Sequence, residues 1–307
     1  MTMTACVFPG QGSQSKGMLS DLAQSHSVVI DTFNQASEVL GYDLWKAVQE
    51  NVDNKLDETH VTQPAILSAS VAIWRAMEAD KSTFTYLAGH SLGEYSALVC
   101  SGALAFTDAV KLVEARGHFM QQAVPAGTGA MYAIIGLEDD KIAQICQQIA
   151  AETGNVVSPV NFNSPGQVVI AGEKNAAERA GNACKDAGAK RALPLAVSVP
   201  SHCDLMHPAA EQLEQALQSI ELSTPEIAVI NNVDVAIETD PAAIKNALVR
   251  QLYCPVQWTR SVEFMAAKGV TKLLEVGPGK VLTGLAKRID KSLHATAINT
   301  PESLAEL

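Results

Sequence analysis

Between a predicted strand at residues 85–88 and a predicted helix at 92–102, the chain compresses its turn into Gly89-His90-Ser91-Leu92-Gly93. A strand can pass into a helix through so short a turn only if the two elements lie close together. The flanking glycines remove the side chains that would hold them apart. This feature points to alternating strands and helices around a mainly parallel sheet. It also leaves the Ser91 hydroxyl exposed at the tip of the turn, with the amides of the helix start, Leu92 first, aimed where an oxyanion would form. A plainer reading is a serine capping a helix between two packing glycines. The strand before it and the helix after it favour a nucleophile.

Other segments fit the same architecture. An apolar run at 5–8 reads as a buried strand entering the turn Pro9-Gly10-Gln11-Gly12, and residues 61–77 and 108–121 carry helical apolar spacing. Near the end, a strand at 272–276 leads through Gly277-Pro278-Gly279 into a helix at 280–288. Between about 129 and 197 the order changes. Strand 130–135, helix 138–152, strand 156–163, the turn Ser164-Pro165-Gly166, strand 168–171, helix 173–187 and strand 191–197 spell βαββαβ, the split arrangement of a ferredoxin-like module. The expected division is therefore a discontinuous α/β unit, 1–126 with 199–307, carrying 127–198 as an insertion.

A serine nucleophile needs a base, and seven histidines are available. His90 adjoins the serine in sequence and is badly placed to take its proton; His26 and His60 lie in polar stretches, and His118 is on a helix. His202, in Pro200-Ser201-His202-Cys203-Asp204, follows the last strand of the insertion. The capping-box-like spacing of Ser201 and Asp204 would hold it in a first helical turn. Spacing alone favours a plain exposed histidine beside a cap. Arg116 is a sharper signal, because its neighbours at helical spacing, Leu112, Val113, Phe119 and Met120, are all apolar. A charge on a buried face is costly unless it is paired. Its partner is a distant structural carboxylate, water reached by a snorkelling stem, or an anionic substrate that a guanidinium fork would grip bidentately.

Several classes are excluded. The Gly10-Gln11-Gly12 turn lacks the third glycine of a dinucleotide fingerprint, with Ser15 in its place, and Gly277-Pro278-Gly279-Lys280 has Leu274 where a P-loop needs its first glycine. Gly10 and Gly12 would instead let the backbone at Gln11 approach a reacting group, or simply make a tight loop. Six scattered cysteines form no C-x-x-C pair and do not cluster with histidine, so no metal site or disulfide framework is expected and a reducing cytoplasm fits. A formal net charge of -11 argues against nucleic-acid binding, and there is neither a bilayer-spanning apolar run nor a signal-peptide pattern.

In combination, Phe8-Pro9-Gly10-Gln11-Gly12-Ser13-Gln14, Gly89-His90-Ser91-Leu92-Gly93-Glu94, Arg116, Asn161-Phe162-Asn163-Ser164-Pro165-Gly166-Gln167, Pro200-Ser201-His202 and Glu275-Val276-Gly277-Pro278-Gly279 resemble the malonyl/acyl-CoA transacylases of fatty-acid synthesis and the acyltransferase domains of polyketide synthases. The motifs run in the family's order over nearly the whole chain. With no attached synthase modules, the chain looks like the free-standing bacterial type. The resemblance implies an α/β-hydrolase-like core with a ferredoxin-like module and ping-pong transfer of malonyl from malonyl-CoA to the phosphopantetheine thiol of acyl carrier protein. It implies Ser91 as nucleophile, His202 as base oriented by the Gln251 backbone carbonyl, and the Gln11 and Leu92 amides as oxyanion hole. Arg116 would clamp the malonyl carboxylate, with Gln63, Asn161 and Asn163 as further pocket residues. No cofactor is expected, and the expected state is a monomer. An acidic carrier meeting an acidic chain needs a local basic patch, for which Lys190 and Arg191 are the candidates. The rival reading is a serine hydrolase or thioesterase, whose late histidine would have to be His294; a non-catalytic binder is the third.

Overall fold

The computed structural model describes residues 3–196 and 199–307. Among them, nine strands run in chain order: β1 Met3–Phe8, β2 Phe84–Gly89, β3 Gly129–Ile135, β4 Val157–Ser164, β5 Gln167–Glu173, β6 Arg191–Pro194, β7 Ala228–Ile230, β8 Val270–Val276 and β9 His294–Ile298. Five of them form one sheet, ordered β7-β2-β1-β8-β9, in which every neighbouring pair is parallel. β1 lies at its centre and is buried on both faces. Ala5 and Val7 point into a cluster with Trp258, Val262 and Leu285, while Cys6 and Phe8 point into a larger one with Ile66, Leu87 and Val113. The period of two along β1 thus joins two cores through one strand. The helix Thr59–Ala76 is buried nearly all round and runs through the larger core.

The other four strands form an antiparallel sheet ordered β4-β5-β3-β6. Helices Asp139–Thr153 and Lys174–Asp186 cover one face of it, packing Ile142, Ile149, Ala176 and Cys184 on Ile134, Val168 and Ile170. Met131, Val160, Val169 and Ala171 cluster on its other side with Cys203, and backbone bonds from Phe162 to Val256 (3.0 Å) and from Val256 to Val160 (2.8 Å) fasten the sheet to the main body. The element order is βαββαβ, as expected.

Differences fall at the ends. The strand expected at 191–197 stops at Pro194, which lacks an amide to donate and sits on an edge strand; Val197 lies outside the described residues. The sequence reading also passed over β7, β9 and the helices Pro241–Gln251 and Trp258–Ala267. Five of the six cysteines are buried and Cys254 is partly so. Burial pushes the thiols of Cys146 and Cys203 up to about 12, that of Cys184 to about 11, and those of Cys6 and Cys100 well above their usual range. No helix among the described residues is long and apolar enough to cross a membrane.

Candidate active site

β2 ends at Gly89 and the next helix, Gly93–Cys100, begins four residues later. The closeness of this turn explains its glycines. A Cβ on Gly89 would fall into the Gly93 carbonyl, and one on Gly93 into the Phe8 carbonyl of β1. Ser91 between them sits at φ 51, in the left-handed region that non-glycine residues avoid. Two side-chain amides hold it there. The Ser91 N–H donates to Asn232 Oδ1 at 2.7 Å, and the Ser91 carbonyl accepts from Gln251 Nε2 at 3.0 Å.

His202 lies across from the serine, with Nε2 2.8 Å from Ser91 Oγ. Its Nδ1 is 2.7 Å from the Gln251 backbone carbonyl, which can only accept, so the hydrogen is on Nδ1 and Nε2 carries the lone pair facing the hydroxyl. His202 is not in a helical turn. It has φ 65, its N–H donates to the Leu252 carbonyl, and the short 3₁₀ turn Asp204–Met206 starts beyond it. The Ser201 hydroxyl faces Met131 Sδ at 3.8 Å instead of capping that turn. The ring is 3% exposed, and burial, followed by the nearby Arg116 charge, lowers its pKa to about 3. The imidazole is therefore neutral at physiological pH and free to accept a proton. His294 begins the edge strand β9, exposed, and has no part in the site.

Arg116 is 1% exposed, and no acidic side chain among the described residues forms an ion pair with it. Burial lowers its pKa, against the opposing pull of Tyr95 and Glu94, but a guanidinium stays charged. Nη1 donates to Gln63 Oε1 at 2.9 Å; Nη2 donates to Gln251 Oε1 at 3.0 Å and to Ser91 Oγ at 3.2 Å. Each terminal nitrogen carries two hydrogens. Gln63 takes one from Nη1, and Gln251 and Ser91 Oγ take both from Nη2, so a ligand that displaced the serine hydroxyl would meet one hydrogen on each nitrogen. That is the pair a carboxylate takes bidentately. Gln63 is fully buried beneath the guanidinium, so it holds Arg116 and does not line the cavity.

A cavity of about 640 Å³ opens over these groups, lined by Gln11, Ser91, Leu92, Arg116, Asn161 and His202 among others. The Gln11 and Leu92 amides find no acceptor among the described residues, and Gly10 lets the first loop lie against the His90 carbonyl, which a Cβ there would strike. Asn161 is on the cavity wall with Oδ1 unpartnered, whereas Asn163 is turned to His90, its Oδ1 2.8 Å from Nε2. That bond ties up His90. Lys190 and Arg191 are exposed at the start of β6, and it is Leu195 and Ala196, past its other end, that line the cavity. At roughly 3.3 Å per residue, the basic pair lies about 13 Å along the strand from that wall. No cluster of three or more His, Cys, Asp or Glu among the described residues is placed to hold a metal. The sequence reading missed Asn232 and Glu94. Glu94 carried the same signal as Arg116, a charge whose helical neighbours Ala97 and Leu98 are apolar.

The profile of the acyl transferase domain family matches residues 5–303. The chain is 62% identical over 306 residues to the malonyl CoA-acyl carrier protein transacylases of Salmonella typhimurium and Escherichia coli K12, covering 99% of this chain and 98% of each relative. It is similar to the crystal structure of an acyl carrier protein S-malonyltransferase from Vibrio cholerae, with a TM-score of 0.96 at 63% identity and 99% of both chains covered. A malonyl-transacylase solved in complex with its type II polyketide acyl-carrier protein gives a TM-score of 0.96 at 60% identity, over 99% of this chain and 98% of that one.

Proposed function

The chain belongs to the acyl transferase family, and from that premise we propose that it transfers malonyl from malonyl-CoA to the phosphopantetheine thiol of an acyl carrier protein, supplying fatty-acid synthesis. The observation that carries the malonyl assignment is a buried arginine, without an acidic partner, 3.2 Å from the serine hydroxyl. An acyl group ending in a carboxylate supplies the missing anion. Acetyl does not.

In the proposed cycle, the malonyl carboxylate takes the free Nη1 hydrogen of Arg116 and, displacing Ser91 Oγ, the second hydrogen of Nη2. Oγ attacks the thioester carbonyl as its proton passes to His202 Nε2, and the Nδ1 bond to the Gln251 carbonyl stabilises the imidazolium. The Gln11 and Leu92 amides receive the oxyanion, Leu92 at the positive end of its helix. Collapse breaks the C–S bond, and the CoA sulfur leaves with the proton from His202. A carrier thiol then gives its proton to His202 and attacks the ester, and the proton returns to Ser91. No step requires a cofactor.

We further assign 127–198 as the inserted unit, a monomer as the working state and the cytoplasm as its location. The carrier docks at Lys190 and Arg191 and reaches the serine with its long arm. Incubating the protein with malonyl-CoA and weighing it tests the reading. A stable malonyl adduct that Ser91→Ala abolishes is expected. Rapid release of free malonate would make the protein a hydrolase, and no adduct or turnover would make it a binder.

A further inference from the structure

Asn232 and Gln251 hold both backbone polar groups of Ser91, and both are themselves held by one carboxylate oxygen. Glu94 Oε2 accepts from the Asn232 N–H at 2.9 Å and from Gln251 Nε2 at 2.9 Å. Asn232 Nδ2 also donates to the Gly89 carbonyl at 2.6 Å, which fixes the direction of its Oδ1 toward the Ser91 amide. All three side chains are buried: Glu94 is 3% exposed, Asn232 1% and Gln251 0%. A carboxylate that forms no ion pair among the described residues, buried next to a nucleophile's turn, is an expensive way to fill a core.

Its chemistry explains what it is for. An ionised carboxylate only accepts, and a guanidinium only donates. Gln251 is clamped between the two, with Nε2 toward Glu94 and Oε1 toward Arg116. A glutamine between neutral neighbours can turn its amide over, but between these two it has one orientation. In that orientation Nε2 also reaches the Ser91 carbonyl, while Oε1 takes one hydrogen of Arg116 Nη2 and leaves the other to Ser91 Oγ.

We propose that Glu94 is a positioning residue for the transfer. Its carboxylate sets the Asn232 peptide and the Gln251 amide, and through them it holds Ser91 in its left-handed conformation and joins the nucleophile to the arginine clamp. The role rests on the transferase reading and deepens it. Burial raises the Glu94 carboxyl to about 7, opposed by its bonds to Gln251 and Asn232 and by Arg116, and reinforced by Asp234; Tyr95 is the remaining titratable neighbour. Protonation at Oε1, which takes no hydrogen bond among the described residues, would leave Oε2 a neutral carbonyl oxygen and a weaker acceptor for both N–H groups, so the positioning weakens as pH falls through that range.

The test is single-turnover acylation of Ser91 in the full chain, with malonyl-CoA, across about pH 6 to 8.5. Misplacing a reacting group by about 1 Å costs on the order of 100-fold, so E94Q at pH 8 is expected to acylate about 10- to 100-fold more slowly, with KM little changed. Its rate is also expected to lose the parent's fall toward pH 6, because nothing there titrates. A residue needed only for folding would not behave this way. A carboxyl raised in the folded state makes the fold less stable as pH rises through its pKa, so E94Q at pH 8 should melt no lower than the parent. Parent-like acylation by E94Q, or a slow variant that keeps the parent's pH dependence, overturns the proposal. Should E94Q fail to fold, E94D keeps the charge but shortens its reach by one methylene. It is expected to slow acylation equally, and a parent-like E94D overturns the proposal too. A parent protein that never becomes acylated would instead sink the transferase reading, so the two failures are distinguishable.

Discussion

At the scale of single residues, the site is a set of groups each fixed by a partner that has no alternative. His202 Nδ1 faces a carbonyl, Gln251 lies between a carboxylate and a guanidinium, and Ser91 is held by its own peptide groups. Arg116 keeps an Nη1 hydrogen without an acceptor among the described residues and shares an Nη2 hydrogen with Ser91 Oγ that an anion can take. Arg116→Ala is therefore expected to strand the malonyl carboxylate in a buried site, costing roughly 2–5 kcal/mol, or about 30-fold in rate at the low end. Acetyl-CoA, with no carboxylate to strand, should lose much less, so the variant should gain in relative acetyl preference. Competition between the two thioesters measures this, and an unchanged preference removes the clamp. Arg116 was legible in the sequence because its helical neighbours are contiguous in the chain. Asn232 was not, because its meaning lies in side-chain bonds to residues 141 and 143 positions away, and no local pattern encodes that.

At the scale of elements, the sequence showed those whose burial is one-sided or complete, and hid those that are short or made by context. The βαββαβ order could be read because short apolar runs alternate with helix-length stretches, with the turn Ser164-Pro165-Gly166 between the two central strands. β7 has three residues, too few for a period, and β9 is a five-residue edge strand entered from the polar stretch Lys291-Ser292-Leu293-His294. Glu275 shows how elements are joined. From the end of β8 its carboxylate accepts from the amides of Leu282 (3.0 Å) and Thr283 (2.7 Å), capping the helix Val281–Ile289 from outside it. Glu275→Ala is expected to lower stability by about 1–3 kcal/mol, the cost of leaving buried amides unpaired. Urea unfolding should show an earlier midpoint with the same slope, and an unchanged midpoint would mean that water replaces the cap.

At the scale of the whole molecule, a formal charge of -11 must meet an acidic carrier, and the exposed pair Lys190 and Arg191 is where we place the contact. Complementary charges mainly speed encounter, and salt weakens them as the screening length shrinks to ~8–10 Å. Reversing both residues to Glu should leave acylation by malonyl-CoA nearly untouched and slow transfer to the carrier about 3- to 10-fold at low salt, less at high salt. Equal slowing of both half-reactions would point to damage or a CoA contact, and no slowing would put docking elsewhere. The burial of the cysteines carries a different consequence. A transferase of this kind releases or consumes a free thiol at each half-reaction, and wherever an oxidant turns that thiol into its disulfide, the disulfide can exchange with a protein cysteine. Disulfide exchange proceeds through the thiolate and needs access to the sulfur. Five of the six cysteines are buried, with their thiols raised to about 11 or beyond, and Cys254, partly exposed, is raised as well. Packing Cys6, Cys100, Cys146, Cys184 and Cys203 into the cores beside the two sheets thereby leaves these five sulfurs chemically deaf to the disulfides of the thiols the enzyme trades.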